Sequence, residues 1–198
     1  AASDVYKRQA HLLAPTRALG EQVYEALHAA FPKEPFLLKL SRIYRDARRL
    51  HGNGPYKDHL WFCVRAGGED WTGRPTFYFE IGPDYYSYGM GFWAPKAALM
   101  EAYRKAVDEH PEVLEKLVKR FNKQAQFTLS GPEYARKKTA PSPLLAAWYN
   151  KKSINLQHDA APDERMFSQE LAQDIIEGFR TLMPLYKYFD GLCAAEMV

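Results

Sequence analysis

With 198 residues, 46% apolar and 26% charged, the chain can bury one real core, and its ordinary globular composition excludes a wholly disordered or fibrous protein. No apolar run approaches the roughly 18 residues that a membrane span needs, so no membrane partner is expected. The 27 basic and 24 acidic residues leave a net charge of +3. That excess is local, because residues 42–57 hold Arg42, Arg45, Arg48, Arg49 and Lys57 against the single acid Asp46. So tight a focus suits a small anionic ligand, or an ion-pair network, better than the broad field that attracts polyanions. Cys63 and Cys193 are too few and too isolated for a disulfide framework or a cysteine zinc site, and are expected to be reduced thiols in a cytoplasmic protein.

In chain order, residues Asp4-Val5-Tyr6-Lys7-Arg8-Gln9 back-translate as GAT GTG TAT AAG AGA CAG, the mosaic end of transposase-based sequencing libraries. Residues 1–9 are therefore read as adapter-derived or disordered, and 10–198 as a single domain. Leu12, Leu19, Val23, Leu27 and Ala30 recur at helical spacing, which predicts an amphipathic helix ended by Pro32 and Pro35. Phe36–Leu40 is a short apolar stretch, and Gly52, Gly54 and Pro55 place a loop at 50–56. Period-two alternation predicts strands at His59–Arg65, Thr76–Ile81 and Tyr85–Trp93. In the third of these, Tyr86, Tyr88, Met90 and Phe92 line one face, while Ser87, Gly89 and Gly91 leave the other nearly bare. Helices follow from Pro95 and from Pro111, then a break at Gly131-Pro132, a short helix at Leu144–Tyr149 and a strand at Ser153–Gln157. Ser168 caps a last helix that Pro184 is expected to kink or restart. Strands joined by short links favour antiparallel pairing, so the fold class is α+β: an antiparallel β-sheet packed by α-helices.

Familiar catalytic signatures are missing. There is no phosphate-binding G-x-x-x-x-G-K-[ST] loop, no H-E-x-x-H helix and no G-x-S-x-G elbow. The six histidines show no paired ligand spacing, so neither a metal nor a cofactor is expected, although His51 and His59 flank the loop with Asp58 beside His59. Gly89-Met90-Gly91-Phe92-Trp93-Ala94 fits G-x-G-x-x-A. Two bulky aromatics fill its turn, however, and no βαβ unit surrounds it. The glycines read better as positions that admit a neighbouring side chain or backbone to the sheet. The helix after Pro95 also offers free N–H groups to an anion.

The informative string is Arg42-Ile43-Tyr44-Arg45-Asp46-Ala47-Arg48-Arg49-Leu50-His51-Gly52-Asn53-Gly54-Pro55-Tyr56-Lys57. If Arg42–Arg48 is extended, Arg42, Tyr44, Asp46 and Arg48 share a face. Guanidinium forks around one carboxylate suit bidentate recognition of phosphate or carboxylate, and Tyr56 and Lys57 could close the site across the Gly-Pro turn. The string resembles the hallmark of the bacterial domain of unknown function 2461 family, approximately R-x-x-R-D-x-R-F-x-x-[DN]-K-x-x-Y. Arg42, Arg45, Asp46, Arg48 and Tyr56 match, with Pro55 and Lys57 in keeping, while Arg49, Gly52 and Asn53 depart and suggest a divergent subgroup. The similarity extends through Tyr85–Pro95 and the Pro184 region, over nearly everything after residue 10. It implies a bacterial protein whose N-terminal segment is cut off, and it brings no activity with it.

Three functional readings follow. The first is a binding or catalytic pocket for a small phosphorylated or carboxylated ligand, built from Arg42, Arg45, Asp46, Arg48, Tyr56 and Lys57 beside the Gly89 and Gly91 strand. Asp46 is its candidate acid or base. The second is a structural or protein-interaction domain whose motif is a self-satisfied ion-pair network. The third is a nucleic-acid-binding module that stacks bases on Tyr85, Tyr86, Tyr88, Phe92 and Trp93. This one is disfavoured because alternation buries about half of those rings. Whether the protein is an enzyme, and its oligomeric state, are left open by the sequence.

Overall fold

A computed structural model describes residues 7, 9–45, 48, 54–68 and 71–196. About half of the described residues are helical, and six antiparallel strands form one sheet. The strands are β1 (Phe36–Leu40), β2 (Leu60–Ala66), β3 (Pro75–Ile81), β4 (Tyr86–Phe92), β5 (Thr128–Ser130) and β6 (Asn155–Ala160), in spatial order β1-β2-β3-β4-β6-β5. The first four form a meander of sequence neighbours, while β6 slots in beside β4 and puts β5 at the edge. The domain is α+β, as its alternation and short links imply.

Register explains the two faces. Phe62 pairs with Phe79, Phe79 with Tyr88, and Tyr88 with His158, so one face is almost continuously aromatic. Cys63, Tyr78, Gly89 and Gln157 form the matching row on the other face. The long helix α5 (Gln169–Glu196) lies on the aromatic face. Its Phe179 and Tyr186 meet Phe77 at ring separations of 4.8 and 5.0 Å, and Phe189 meets Phe92 edge-on at 5.6 Å. Helix α1 (Ala14–Ala30) covers the β1–β2 end of the same face, where the missing side chain of Gly20 admits Phe62 and Leu38. Helices α2 (Ala97–Glu109) and α3 (Pro111–Phe121) complete the layer through Leu99, Tyr103 and Val107, and through Leu114, Val118 and Phe121. The short α4 (Ala146–Tyr149) adds Trp148, edge-on to Phe121 at 5.3 Å. Each fully buried aromatic contributes about 2–3 kcal/mol by removal of its surface from water. No helix among the described residues is long and apolar enough to cross a membrane.

Several expectations shift in detail. The first helix starts at Ala14, behind a wide turn over Gln9–Leu13, because Pro15 suits the opening turn. The apolar stretch Phe36–Leu40 is an edge strand, and β6 runs to Ala160 rather than Gln157. Pro184 neither stops nor restarts the last helix: α5 runs through it, flanked by Leu182, Met183, Leu185 and Tyr186, all buried. Packing on both sides of the proline outweighs the lost backbone hydrogen bond. Ser168 does receive the Glu170 N–H at the start of that helix, at 3.2 Å.

Candidate functional site

The basic motif forms a short antiparallel extension beyond the ends of β1 and β2. Ser41 N–H donates to Trp61 O at 2.8 Å, and beyond it Lys57 N–H donates to Ile43 O at 2.9 Å and Arg45 N–H to Pro55 O at 2.8 Å. These bonds frame an isolated bridge between Tyr44 and Tyr56, whose rings lie 5.5 Å apart. Ile43 is the buried anchor of the extension, while Tyr44 is about half exposed, at 47%. The local reason is compositional: Gly54 and Pro55 favour a reversal, and the tyrosines on either arm favour extended pairing.

Side chains then converge on this bridge. Arg45 Nε donates to the backbone oxygen of Tyr56 at 2.7 Å, and its Nη2 lies 3.4 Å from Asp58 Oδ2. Asp58 Oδ1 is 2.8 Å from His59 Nδ1, and that hydrogen bond, followed by a backbone one, holds the Asp58 carboxyl below the usual carboxylate value. Lys57 Nζ reaches Ser41 Oγ at 3.5 Å and stands 5.7 Å from the Trp61 ring. Partial burial lowers the Lys57 pKa, and the nearby charges of Arg42 and Arg45 lower it further. Arg42 is exposed, and so is Arg48, where the backbone is coiled into a 3-10 turn rather than extended.

Arg42, Arg45, Tyr56 and Lys57 are thus brought together. Asp46, the candidate acid or base, lies outside the described residues, as do Arg49, His51, Gly52 and Asn53. Gly89 and Gly91 are not brought to this cluster. Their register partners run through Tyr78 to Cys63 and through Thr76 to Arg65, well along β2 from the Leu60 end that carries the motif. Both glycines are explained by β6, since an added Cβ would strike the Leu156 backbone oxygen at Gly89 and the Asn155 side chain at Gly91. Asp58, Ser41 and Trp61 were missed as members of the cluster. The one signal for them in the sequence is Asp58 next to His59. Among the described residues no group of three metal-ligating side chains occurs.

The aromatic platform also changes. Tyr86, Tyr88 and Phe92 are buried under the helices, whereas Tyr85 at 38% and Trp93 at 79% are exposed. Trp93 and its neighbours stand at the far end of β4 from the basic extension. The helix expected from Pro95 begins at Ala97.

A cleft of about 450 Å³ opens between the first half of α1 and the first turns of α5. Phe79 and Ile81 form its floor, Leu19, Met166 and Leu171 its walls, and Thr16, Gln22, Ser168 and Gln169 its polar lining. Gln22 Nε2 bonds Gln169 Oε1 across it at 3.2 Å. Ile81 pairs with Leu60, so the cleft lies at the same end of the sheet as the basic extension.

An antiparallel sheet with helices on its aromatic face and a basic extension off its first two strands defines a two-layer α+β protein. The chain belongs to a family of conserved hypothetical proteins, DUF2461, whose sequence pattern matches residues 3–188. No curated protein matches it.

Proposed function

We propose that the extension beyond β1 and β2 binds a small phosphorylated or carboxylated ligand, with Arg42 and Lys57 meeting the anion. The observation that carries this reading is the Tyr44–Tyr56 bridge, which folds the two arms of the motif together and sets Lys57 within the field of Arg42 and Arg45. An anion bound there relieves that mutual repulsion, so the ligand and the native state favour one another. Arg45 is a positioning residue, since its Nε is committed to the Tyr56 carbonyl and its Nη2 to Asp58. In this reading Asp46 supplies any acid or base chemistry, and the guanidiniums stabilise charge developing on a phosphoryl or carboxyl group. The setting is the bacterial cytoplasm, in keeping with two buried cysteines that form no disulfide with one another.

The test is a thermal-shift series with inorganic phosphate, nucleotides, sugar phosphates, small carboxylates and an oligonucleotide. Ligand at 100 times its Kd adds about 2.7 kcal/mol, which at this size is a shift of roughly 5–10 °C. Arg42→Ala and Lys57→Ala are expected to abolish the shift in protein that still folds. The reading fails if no anion shifts the melting point, or if both variants retain the shift. A purely structural motif then stands, in which Arg45→Ala alone loosens the fold.

A further inference from the structure

Pairing within the basic extension seats one amine among fixed neighbours. The Tyr44–Tyr56 bridge sets Lys57 opposite Ile43, with the Lys57 N–H on the Ile43 oxygen at 2.9 Å. Ile43 and Ser41 are both buried, at 6% and 5% exposed. Lys57 Nζ reaches Ser41 Oγ at 3.5 Å and stands 5.7 Å from the Trp61 ring. Ser41 has one hydroxyl proton and gives it to the Arg42 backbone oxygen at 3.1 Å, so it meets Lys57 as an acceptor. An N–H held on Ser41 turns the lone pair of the neutral amine away from that buried hydroxyl.

The surroundings favour that neutral amine. Partial burial disfavours its charged form, and Arg42 and then Arg45 add cationic repulsion. The acid Asp58 is shared between Arg45 Nη2 at 3.4 Å and His59 Nδ1 at 2.8 Å. A guanidinium keeps its proton, so of the three basic chains Lys57 is the one that can turn nucleophilic. Lys57 is only half-buried and Arg42 is exposed, so a small molecule can reach both.

We propose that Lys57 forms an imine with an anion that also carries a carbonyl group, a 2-oxo acid or an aldehyde phosphate. This chemistry rests on the anion site of the preceding section and narrows its ligand class. Arg42 holds the carboxylate or phosphate, which brings the neighbouring carbonyl carbon to Lys57 Nζ. The Nζ lone pair forms the C–N bond while the carbonyl oxygen takes up a proton. The resulting carbinolamine then loses that oxygen as water. In sum, the ammonium and the carbonyl give a protonated imine and one water, with no oxidant or reductant consumed. The imine keeps a positive charge beside two guanidiniums, and the bound anion offsets it.

Reductive trapping on the intact chain tests it. Cyanoborohydride converts an imine to a stable amine, and peptide mapping then reads each lysine separately. One arm uses pyruvate and the other glycolaldehyde phosphate, both at neutral pH. In at least one arm Lys57 is expected to be labelled at least tenfold faster than Lys105, whose side chain is 75% exposed. Inorganic phosphate is expected to slow labelling of Lys57 and to spare Lys105. If Lys57 reacts no faster than Lys105 in either arm, or if phosphate leaves their ratio unchanged, the proposal falls. Failure of the imine alone is recognisable, because phosphate then still raises the melting point through Arg42 while no Lys57 adduct forms. If neither the melting shift nor the adduct appears, the anion site falls as well.

Discussion

Gly89 sits where β4 passes close to β6, and its lack of a side chain is a packing requirement rather than a matter of backbone conformation. An alanine there meets the carbonyl of Leu156, a backbone atom that cannot rotate away, so Gly89→Ala should cost about 3 kcal/mol or more. At Gly91 the nearest atom is the Asn155 side-chain oxygen, which can turn aside, so Gly91→Ala should cost less, about 1–2 kcal/mol. Urea denaturation of the two variants checks the order, and equal costs would refute the packing explanation. The bare face was legible in the sequence because alternation separates the glycines from Tyr88 and Met90. What the glycines make room for was not, since β6 lies more than sixty residues on.

Elements are tied together by a few polar contacts across long sequence separations. Arg74, just before β3, reaches Asp190 in the last turns of α5 with Nε at 2.9 Å and Nη2 at 2.6 Å, both to Oδ1. Each side chain is about one-fifth exposed, so water screens the pair only in part. Arg74→Ala should cost about 1–2 kcal/mol, and a double-mutant cycle with Asp190→Ala should return a coupling above about 0.5 kcal/mol. Additive losses would show that the contact carries no energy of its own. The core joint is stronger. Phe77 is fully buried among Phe36, Phe179 and Tyr186, and Phe77→Ala should cost about 3–5 kcal/mol by equilibrium unfolding. Strands β2 to β4 and helices α2 and α3 were legible because each repeats its pattern over seven or more residues. Strand β5 is three residues long and carries no period to detect. The continuity of α5 through Pro184 was hidden for another reason: local propensity argues for a break, and the deciding term is tertiary burial. For the candidate site the sequence marked Arg42, Arg45, Tyr56 and Lys57, but the contribution of Asp58 depends on how the extension folds back.

Over the whole molecule, the ionisable groups that burial perturbs are mostly acids held in their neutral form. Burial pushes the Cys63 thiol up to about 11, and Tyr85 is raised to about 12, chiefly by its hydrogen bond to Glu80. Burial also raises the phenols of Tyr78, Tyr86, Tyr88 and Tyr149. In the unfolded chain these groups ionise at ordinary values, near 9 for the thiol and 10 for the phenols. Above pH 9 the native state therefore binds more protons than the unfolded state, and stability falls as pH rises. Lys57 opposes this trend, since its lowered pKa means the unfolded chain holds the extra proton, but it is one group against several. Thermal unfolding from pH 7 to 11 should show a falling melting point that begins near pH 9, and a flat profile would contradict these assignments. The close approach at Gly89 has one more consequence, for how the chain assembles. If β4 paired with β6 one residue out of step, Tyr88 or Met90 would occupy the gap that admits only a hydrogen atom. Misaligned pairings are thereby rejected while they form, so the same narrow gap acts as a proofreading step for the strand that arrives last in the sheet.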